Sequence, residues 1–162
     1  MPSITAVLHT ENDALRLGRA LETLYPCDDI VVIDHGSRDD TVRIARQYGA
    51  QVIVALPGYA TQEYVQIANF AEWILTLDPC ESLTENLAAS LFEWKSASLR
   101  PFSSRSAFSV FLREETPHGW LEVPAVQTRL VPHNWKSWKA RHPVHDASAL
   151  TLEGELLRFV FP

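Results

Sequence analysis

The sequence predicts an α/β domain with a mainly parallel sheet flanked by helices and a short α+β part at its C-terminal end. Short apolar runs alternate with amphipathic helical patterns through residue 95, which is typical of βα units in a parallel sheet. After residue 95, strand-like patterns follow one another without long helices between them. The chain has 162 residues, of which 46% are hydrophobic, and it can bury one sizeable core. We therefore expect a single domain over residues 1–162.

The first two βα units are defined by apolar runs that end in polar segments. The run from Ile4 to Leu8 predicts a strand, and TEND at 10–13 has the capping-box form that starts a helix. A second run from Ile30 to Ile33 predicts a strand that ends at Asp34. The segment SRDD at 37–40 then predicts the start of a second helix.

Two more units and a group of strands complete the predicted order. A third strand is expected over 51–55, followed by a weaker helical pattern over 61–70. A fourth strand is expected over 73–77, and SLTE at 82–85 repeats the capping-box form ahead of an apolar helical stripe. The strands predicted after residue 95 cover 107–112, 121–131 and 156–161.

Composition and motifs exclude several classes of function. The net charge of −6 opposes binding to phosphate-rich polymers, so we expect no nucleic-acid partner. No basic leader and no apolar run of roughly 20 residues is visible, which predicts a cytoplasmic protein. The two cysteines are expected to be reduced thiols. The glycine motifs of dinucleotide and P-loop sites are absent, which argues against a dehydrogenase or an ATPase.

Polar residues follow three of the predicted strands at the point where each strand ends. These clusters are HTEN at 9–12, DHGS at 34–37 and DPCE at 78–81. Ligands of open parallel sheets bind beyond the carboxyl ends of the strands, so the three clusters are candidate site residues. The alternative is that they are helix caps and turn residues, with Asp78 forming a turn before a proline and the caps being Thr10, Asn12, Ser37 and Asp39.

Four segments of the chain carry a resemblance to a known enzyme family. They are ITAVLHTENDALRLGRALETL at 4–24, IVVIDHGSRDDTVRIARQYGAQVI at 30–53, WILTLDPCESL at 73–83 and VQTRLVPHNWKSWKARHPVHD at 126–146. Together they resemble glycosyltransferase family 2, whose members have the GT-A fold and transfer sugars from nucleotide-sugar donors. The last segment is similar to the branch that contains lipopolysaccharide-core glucosyltransferases.

The resemblance implies a nucleotide-sugar site and a catalytic base. Thr10, Asn12, Asp34 and Ser37 would bind the nucleotide, with Asp34 accepting hydrogen bonds from the base or ribose. The base that takes the acceptor hydroxyl proton during inverting transfer would be Asp146. The donor would be UDP-linked and bound by residues 1–95. The acceptor would be a glycan or a lipid-linked molecule and would contact residues 96–162, a half that is compressed relative to typical members of the family. Peripheral contact with the inner face of the membrane is part of this expectation.

The resemblance also implies a divalent cation, but one substitution in the metal-binding motif argues against it. The family's D-x-D motif, which binds Mg²⁺ or Mn²⁺ through carboxylate oxygens, corresponds to Asp78 and Cys80. A thiol is a poor ligand for these ions, which leaves Asp78 and the nearby Glu81 as the expected metal ligands. Arg158 stands where relatives often carry His, and a guanidinium there would bind phosphate and partly replace the charge of a metal.

Three departures from the family pattern support an alternative function, a non-catalytic GT-A-like domain that acts as a nucleotide-binding or assembly module. Cys80 replaces the second acid of the motif. Gln62 is followed by Glu63, where many relatives have a basic residue and a glutamate would repel a diphosphate. Arg158 replaces the C-terminal His.

Two further sets of residues have competing interpretations. HPVHD at 142–146 contains two histidines, but the proline between them prevents a helical pair, which disfavours a zinc site. Tryptophans could stack on a sugar, and nearby basic residues could meet an anionic acceptor or a membrane. The alternative is a partly buried aromatic layer with a solvated basic rim. These residues are Trp120, Trp135, Trp138, Arg129, Lys136, Lys139 and Arg141.

Overall fold

The first half of the chain alternates strands and helices, as the apolar periodicity predicts. The structure, a computed structural model, describes residues 2–97 and 107–161. The elements of this half are β1 (Ile4–Thr10), α1 (Ala14–Glu22), β2 (Asp29–Asp34), α2 (Thr41–Gln47), β3 (Gln51–Val54), α3 (Thr61–Ile67) and β4 (Trp73–Thr76).

The second half contains one long helix and seven strands among the described residues. They are β5 (Glu81–Leu83), α4 (Glu85–Ser96), β6 (Phe108–Thr116), β7 (Gly119–Trp120), β8 (Ala125–Pro132), β9 (Trp138–Lys139), β10 (His142–Pro143) and β11 (Leu150–Arg158). The segment at 96–106 is rich in serine, and most of it lies outside the described residues. No described helix has the length and apolar character needed to cross a lipid bilayer.

One sheet joins both halves in the order β3-β2-β1-β4-β8-β6-β11-β5, with β7 paired to β6. The four strands of the first half run parallel. Strand β8 is antiparallel to both β4 and β6, and β11 runs parallel to β6 and antiparallel to β5. The predicted α/β architecture, with a parallel half and an α+β C-terminal part, is therefore confirmed.

Two apolar layers cover the faces of the sheet, because successive residues of a strand point to opposite sides. On one face, Leu8 of β1 packs in a cluster with residues of α1, α2 and α4, including Leu17 and Leu91. On the other face, Val7 packs with Tyr64 of α3, and Trp135 and the β9–β10 hairpin lie against this cluster. The hairpin and α3 therefore share the face onto which His9 points.

Two helices begin at different residues from those that the sequence predicts. The segment at 82–85 does not form the expected capping box, because Ser82 is drawn into β5 by pairing of this strand with β11. The N-cap of α4 is Thr84, whose hydroxyl accepts a hydrogen bond from the Leu87 N–H at 3.3 Å. Helix α1 is preceded by Asp13, whose carboxylate accepts from the Glu11 N–H instead of capping the helix.

Gly154 allows β11 to lie directly against the start of α4. Its φ is +94°, and a Cβ at this position would lie 2.2 Å from the Leu87 nitrogen. The register of β11 against β6 shifts between Thr151 and Glu155, on either side of this glycine. The close contact matters for the site because β11 carries Arg158 and pairs with β5, which carries Glu81.

Candidate functional site

The carboxylate of Asp34 organises the end of β2. Thr10 at the end of β1 donates its hydroxyl to Oδ1 at 2.7 Å, and Ser37 donates its N–H to Oδ2 at 2.9 Å and its hydroxyl to Oδ1 at 2.5 Å. Burial opposes ionisation of this side chain, but the hydrogen bonds from Ser37 and Thr10 outweigh it and hold the pKa of Asp34 below its ordinary value. The buried carboxylate is therefore an anion with three fixed donors.

Asn12 links the loop after β1 to the loop after β2. Its N–H donates to the Ser37 hydroxyl oxygen at 2.9 Å, and its side-chain oxygen accepts from the Arg38 N–H at 2.8 Å. The φ of Asn12 is +54°, a conformation that Asn tolerates better than most residues. The structure thus brings together four residues predicted from the sequence as nucleotide ligands, which we call the strand-end cluster: Thr10, Asn12, Asp34 and Ser37.

The capping alternative applies to Asp39 alone. Asp39 accepts hydrogen bonds from the Ala14 N–H at 3.2 Å and the Thr41 N–H at 3.0 Å, which are the first residues of α1 and α2. Thr10, Asn12 and Ser37 are N-caps of neither helix, since the cap positions are Asp13 and Asp40. Their polar groups are used to join the two loops.

Asp78 follows β4 and is held by a histidine and an arginine. Its Oδ1 accepts from Nε2 of His142 at 3.0 Å, and its Oδ2 accepts from Nη1 of Arg158 at 2.8 Å. Burial opposes ionisation of Asp78, but His142, Arg129 and Arg158 outweigh it and hold the pKa of this carboxyl well below its ordinary range. Nδ1 of His142 also contacts the Thr76 hydroxyl at 2.9 Å, which fixes the orientation of the ring.

Glu81 is buried and fully engaged by arginine. Nη1 and Nη2 of Arg129 donate to its two carboxylate oxygens at 2.7 and 3.1 Å, the two-pronged geometry that suits a guanidinium and a carboxylate. The Asp78 N–H donates to Oε1 at 2.7 Å, and Nη1 of Arg158 lies 3.2 Å from Oε2. We call Asp78, Glu81, Arg129 and Arg158 the charge network; it contains two carboxylates and two guanidiniums.

Arg129 is a member of this network and not of a solvated basic rim. Its side chain is 2% exposed, and it also donates to the Thr76 carbonyl oxygen at 3.2 Å and to the Gln127 side-chain oxygen. The expectation that it meets an anionic acceptor or a membrane surface is therefore corrected. The reason is that β8 runs antiparallel to β4, which places Arg129 inside the carboxyl edge of the sheet next to Glu81.

The charge network does not provide the donor set that a divalent cation prefers. Mg²⁺ and Mn²⁺ bind several oxygen ligands that retain negative charge, whereas Asp78 and Glu81 are each neutralised by a guanidinium. Burial raises the pKa of the Cys80 thiol, which stays protonated and offers no carboxylate oxygen. Across residues 2–97 and 107–161, no group of three or more His, Cys, Asp or Glu side chains is placed to hold a metal.

A cleft of about 670 Å³ opens at this edge of the sheet. It is bordered by the loop after β1, by the start of the segment after β4, by the β9–β10 hairpin and by the end of β11. Residues from both halves of the chain therefore form it. Its cationic side chains are Arg16, Lys139, Arg141 and Arg158, its carboxylates are Glu11, Asp13 and Asp78, and its histidines are His9 and His142.

Two histidines of the candidate clusters form a pair that the sequence does not predict. Nδ1 of His9 lies 2.8 Å from Nε2 of His35, and Nε2 of His9 lies 2.9 Å from the Thr61 hydroxyl. That hydroxyl donates to the Arg141 carbonyl oxygen at 3.0 Å, so the Nε2 of His9 must supply the proton to Thr61. Nδ1 of His9 is then the acceptor and the Nε2 of His35 the donor.

Burial and the neighbouring Arg141 lower the pKa of His9 to about 3, which keeps its ring neutral. The chain of hydrogen bonds ties the ends of β1 and β2 to the start of α3 and to the turn of the β9–β10 hairpin. The only signal in the sequence was that both histidines sit directly at strand ends, at positions 9 and 35.

Asp146, the predicted base, lies in the segment between β10 and β11. Its Oδ1 accepts from the N–H and the hydroxyl of Ser148 at 2.9 and 2.6 Å, and its own N–H donates to the Thr128 hydroxyl at 2.8 Å. The hydrogen bonds from Ser148 hold the pKa of Asp146 below its ordinary value. The described lining of the cleft does not include Asp146, so the structure does not bring it together with Asp78 or Arg158.

The remaining candidates have structural partners. Glu63 accepts from the Ala60 N–H at 2.8 Å at the start of α3. His145 lies 3.4 Å from the Thr128 hydroxyl, whereas His142 contacts Asp78, so the two histidines have separate partners. Trp135 and Trp138 are half-buried against the core and line a second cavity of about 270 Å³, and Trp120 packs against Phe159 with the ring centres 5.2 Å apart.

Comparison with known proteins gives relatives for about half of the sequence. No family model matches the chain. It is 39% identical over 90 residues to an uncharacterized glycosyltransferase of Rickettsia felis, a match that covers 54% of this chain and 32% of that protein. A corresponding protein of Rickettsia prowazekii is 36% identical over 90 residues, covering 54% and 31%. The chain thus spans about a third of the length of these curated relatives.

Solved structures show a shared fold. A complex of glucosyl-3-phosphoglycerate synthase from Mycobacterium tuberculosis with Mn²⁺, UDP and glucosyl-3-phosphoglycerate has a TM-score of 0.50 and 19% identity. The match covers 69% of this chain and 44% of that one. A second complex of the same enzyme, with Mn²⁺, UDP-glucose and phosphoglyceric acid, gives a TM-score of 0.50 and 20% identity. The GT-A-like fold is therefore confirmed.

Proposed function

We propose that this chain is the nucleotide-sugar-binding part of a glycosyltransferase that moves a sugar from a UDP-linked donor to a glycan or lipid-linked acceptor with inversion. The observation that carries the proposal is the cleft at the carboxyl edge of a GT-A-like sheet, which is next to the strand-end cluster and is lined by four cationic side chains and three carboxylates. The glycosyltransferase names of the Rickettsia relatives support the same function. Membership of the lipopolysaccharide-core branch and contact with a membrane stay predictions.

The strand-end cluster is suited to bind the nucleoside. Asp34 accepts three hydrogen bonds, from Thr10 and Ser37, and a carboxylate has about four acceptor positions. A base or ribose donor would meet an anion whose position is already fixed. The choice of uridine is supported by the structural neighbour, whose complexes contain UDP or UDP-glucose.

The cleft is suited to the diphosphate of the donor. As the bond between the sugar and the phosphate breaks, negative charge grows on the leaving UDP, and fixed cations lower the energy of that state. Arg158 has one nitrogen held by Asp78 and Glu81, so it needs little reorganisation to do this. Arg16, Lys139 and Arg141 border the same space.

Transfer with inversion requires a base for the acceptor. In this proposal, the Asp146 carboxylate takes the proton of the acceptor hydroxyl, the hydroxyl oxygen forms a bond to the anomeric carbon, and the bond from that carbon to the diphosphate oxygen breaks. UDP leaves with the electron pair of that bond. An aspartate is ionised at neutral pH, and the hydrogen bonds from Ser148 hold the pKa of Asp146 below its ordinary value.

Calorimetric titration with UDP and UDP-glucose tests the donor site. We expect the chain to bind both, and Asp34→Asn to weaken binding because the side chain loses its negative charge. Asp40→Asn is the matched control, since Asp40 is an exposed aspartate of the same loop that pairs with Arg43. Absence of binding with and without Mn²⁺ would contradict the nucleotide-sugar function.

A non-catalytic nucleotide-binding or assembly module is the second candidate. The observation that favours it is that both acids near the D-x-D position are neutralised by arginine and that the third position is Cys80. Incubation with UDP-glucose separates the two functions. Release of UDP above the rate in the Asp34→Asn variant supports the transferase, whereas binding without release over long incubation and with a panel of glycan acceptors supports the module.

A further inference from the structure

We infer that Arg158, held in place by the charge network, binds the diphosphate without a divalent cation. The inference rests on the proposed function and concerns how the same cleft recognises its ligand. The side chains at the expected metal position do not suit a divalent cation, because both carboxylates, Asp78 and Glu81, are paired with guanidiniums. The cation at this position is therefore part of the protein.

Arg158 is oriented by two acids that share one of its nitrogens. Nη1 donates to Asp78 at 2.8 Å and to Glu81 at 3.2 Å, while Nε lies 3.9 Å from Glu114. No described residue accepts a hydrogen bond from Nη2. A guanidinium has five N–H donors in one plane, so fixing Nη1 orients the donors that remain. The side chain is 34% exposed and borders the cleft, where those donors are open to a ligand.

Glu81 is held mainly by a deeper partner, so it is not the principal counter-ion of Arg158. Glu81 is 0% exposed and forms its two-pronged contact with Arg129, which is 2% exposed. The buried Arg129 cannot reach a ligand, but it balances the charge of Glu81 and leaves Asp78 as the main counter-ion of Arg158. The cleft lining has four cationic side chains against three carboxylates, so its charge favours an anion, whereas an added divalent cation would meet carboxylates that are already paired with guanidiniums.

Cys80 has a defined part in this arrangement. Its carbonyl oxygen accepts from the Phe159 N–H at 2.9 Å, and Glu81 pairs with Arg158 across β5 and β11, so position 80 lies beside the arginine. A neutral side chain at this position leaves Arg158 available. A carboxylate there would pair with the guanidinium and compete with a phosphate. Cys80→Asp is thus expected to weaken anion binding, the reverse of what a metal site would show.

The test is calorimetric titration of the purified chain with UDP and, separately, with inorganic pyrophosphate, in EDTA and in Mn²⁺. We expect binding of both ligands in EDTA and no tightening by Mn²⁺. Arg158→Gln should weaken binding about tenfold or more, as expected for loss of charge-assisted hydrogen bonds. Arg158→Lys, which keeps the charge but not the planar fork, should fall between wild type and Arg158→Gln. Cys80→Asp should weaken binding in both buffers.

Arg113→Gln is the matched control, because Arg113 is a partly buried arginine that pairs with Glu155 on the neighbouring strand and does not border the cleft. Binding that requires Mn²⁺, tightening of Mn²⁺-dependent binding in Cys80→Asp, or equal affinities of Arg158→Gln and Arg113→Gln would overturn the inference. Pyrophosphate binding in EDTA without UDP binding would refute the nucleotide function and support the anion site. If neither ligand binds in EDTA, the inference fails.

Discussion

Glu81 and Arg129 face each other inside the carboxyl edge of the sheet, joined by two hydrogen bonds of 2.7 and 3.1 Å and almost completely shielded from solvent. The two residues are 48 positions apart in the sequence and lie on different strands. Their pairing joins β5 to β8, two strands that β6 and β11 separate in the sheet, and it determines which charges remain free at the cleft. The Glu81–Arg129 pair therefore affects both the stability of the fold and the charges that are available for binding in the cleft.

Removing one member of this pair should strongly destabilise the fold. Glu81→Gln leaves Arg129 buried without a counter-ion, and we expect a loss of about 3–5 kcal/mol in the free energy of unfolding. The double variant Glu81→Leu with Arg129→Met should recover much of that loss, because no unpaired charge remains. Urea denaturation measures both. Asp40→Asn, which breaks the exposed pair with Arg43, should cost no more than about 1 kcal/mol.

His9 should make the protein lose stability as the pH falls. The pKa of His9 is lowered to about 3 by burial, whereas in the unfolded chain it is about 6.5. The unfolded state therefore binds the proton first, so the contribution is complete above about pH 6.5 and declines below it, by about 1.4 kcal/mol for each pH unit. His9→Gln should flatten this dependence in unfolding measurements, while His118→Gln, at an exposed position, should not.

The proton arrangement of the histidine pair has its own measurement. Nitrogen-15 NMR of the imidazoles should show His9 as the neutral tautomer with its proton on Nε2, because Thr61 uses its hydroxyl hydrogen for the Arg141 carbonyl. The signal should not change when the pH is lowered to about 5, below the ordinary pKa of histidine. A His9 ring that becomes doubly protonated above pH 5 would contradict the described hydrogen-bond order.

Asp34 should contribute stability that is lost in acid. Its pKa is lowered in the folded state by hydrogen bonds from Ser37 and Thr10 that outweigh burial. A lowered carboxyl pKa adds stability above the unfolded value of about 3.9, and this stability disappears as the pH falls through the folded pKa. The free energy of unfolding of Asp34→Asn should therefore depend less on pH below about 5 than that of wild type. Asp29→Asn, at an exposed position, should keep the wild-type slope.

Gly154 should tolerate no side chain. Gly154→Ala combines a φ of +94° with a Cβ placed 2.2 Å from the Leu87 nitrogen, so we expect a loss of about 2 kcal/mol or more. Gly58→Ala is the matched control, because φ is +77° but nothing lies within 4 Å of the added carbon, and its cost should be about 1 kcal/mol. Thermal or urea unfolding compares the two. Equal costs would mean that α4 moves to accommodate the methyl group.

The parallel half could be predicted because buried parallel strands appear as continuous apolar runs. The run at Ile30 to Ile33 and the acid that ends it are found as expected in β2. The strand predicted over 156–161 begins earlier, at Leu150, because pairing with β6 extends it across Gly154. β5 was missed, since three residues carry no periodicity and the strand exists only through its pairing with β11.

The strand-end cluster could be predicted in the same way, from where apolar runs stop. The hydrogen bonds within the cluster could not be predicted, because Thr10, Asn12 and Ser37 also suit helix caps, and only the parallel register of β1 and β2 decides between the two uses. The partners of Asp78 and Glu81 depend on strand order in the second half. Arg129 lies on β8 and Arg158 on β11. No local pattern in the sequence indicates that these two strands bring their arginines to the two acids.

The strand order also has a kinetic consequence. β11 lies between β6 and β5, so Glu81 reaches its place beside Arg158 only after a strand that begins about 70 residues later has paired. Contacts of such long sequence separation form slowly, because a large loop must close before they stabilise the chain. During synthesis, the four parallel strands are complete well before the cleft. The cleft is assembled when β11 is inserted between β6 and β5, so it forms after the parallel half of the sheet.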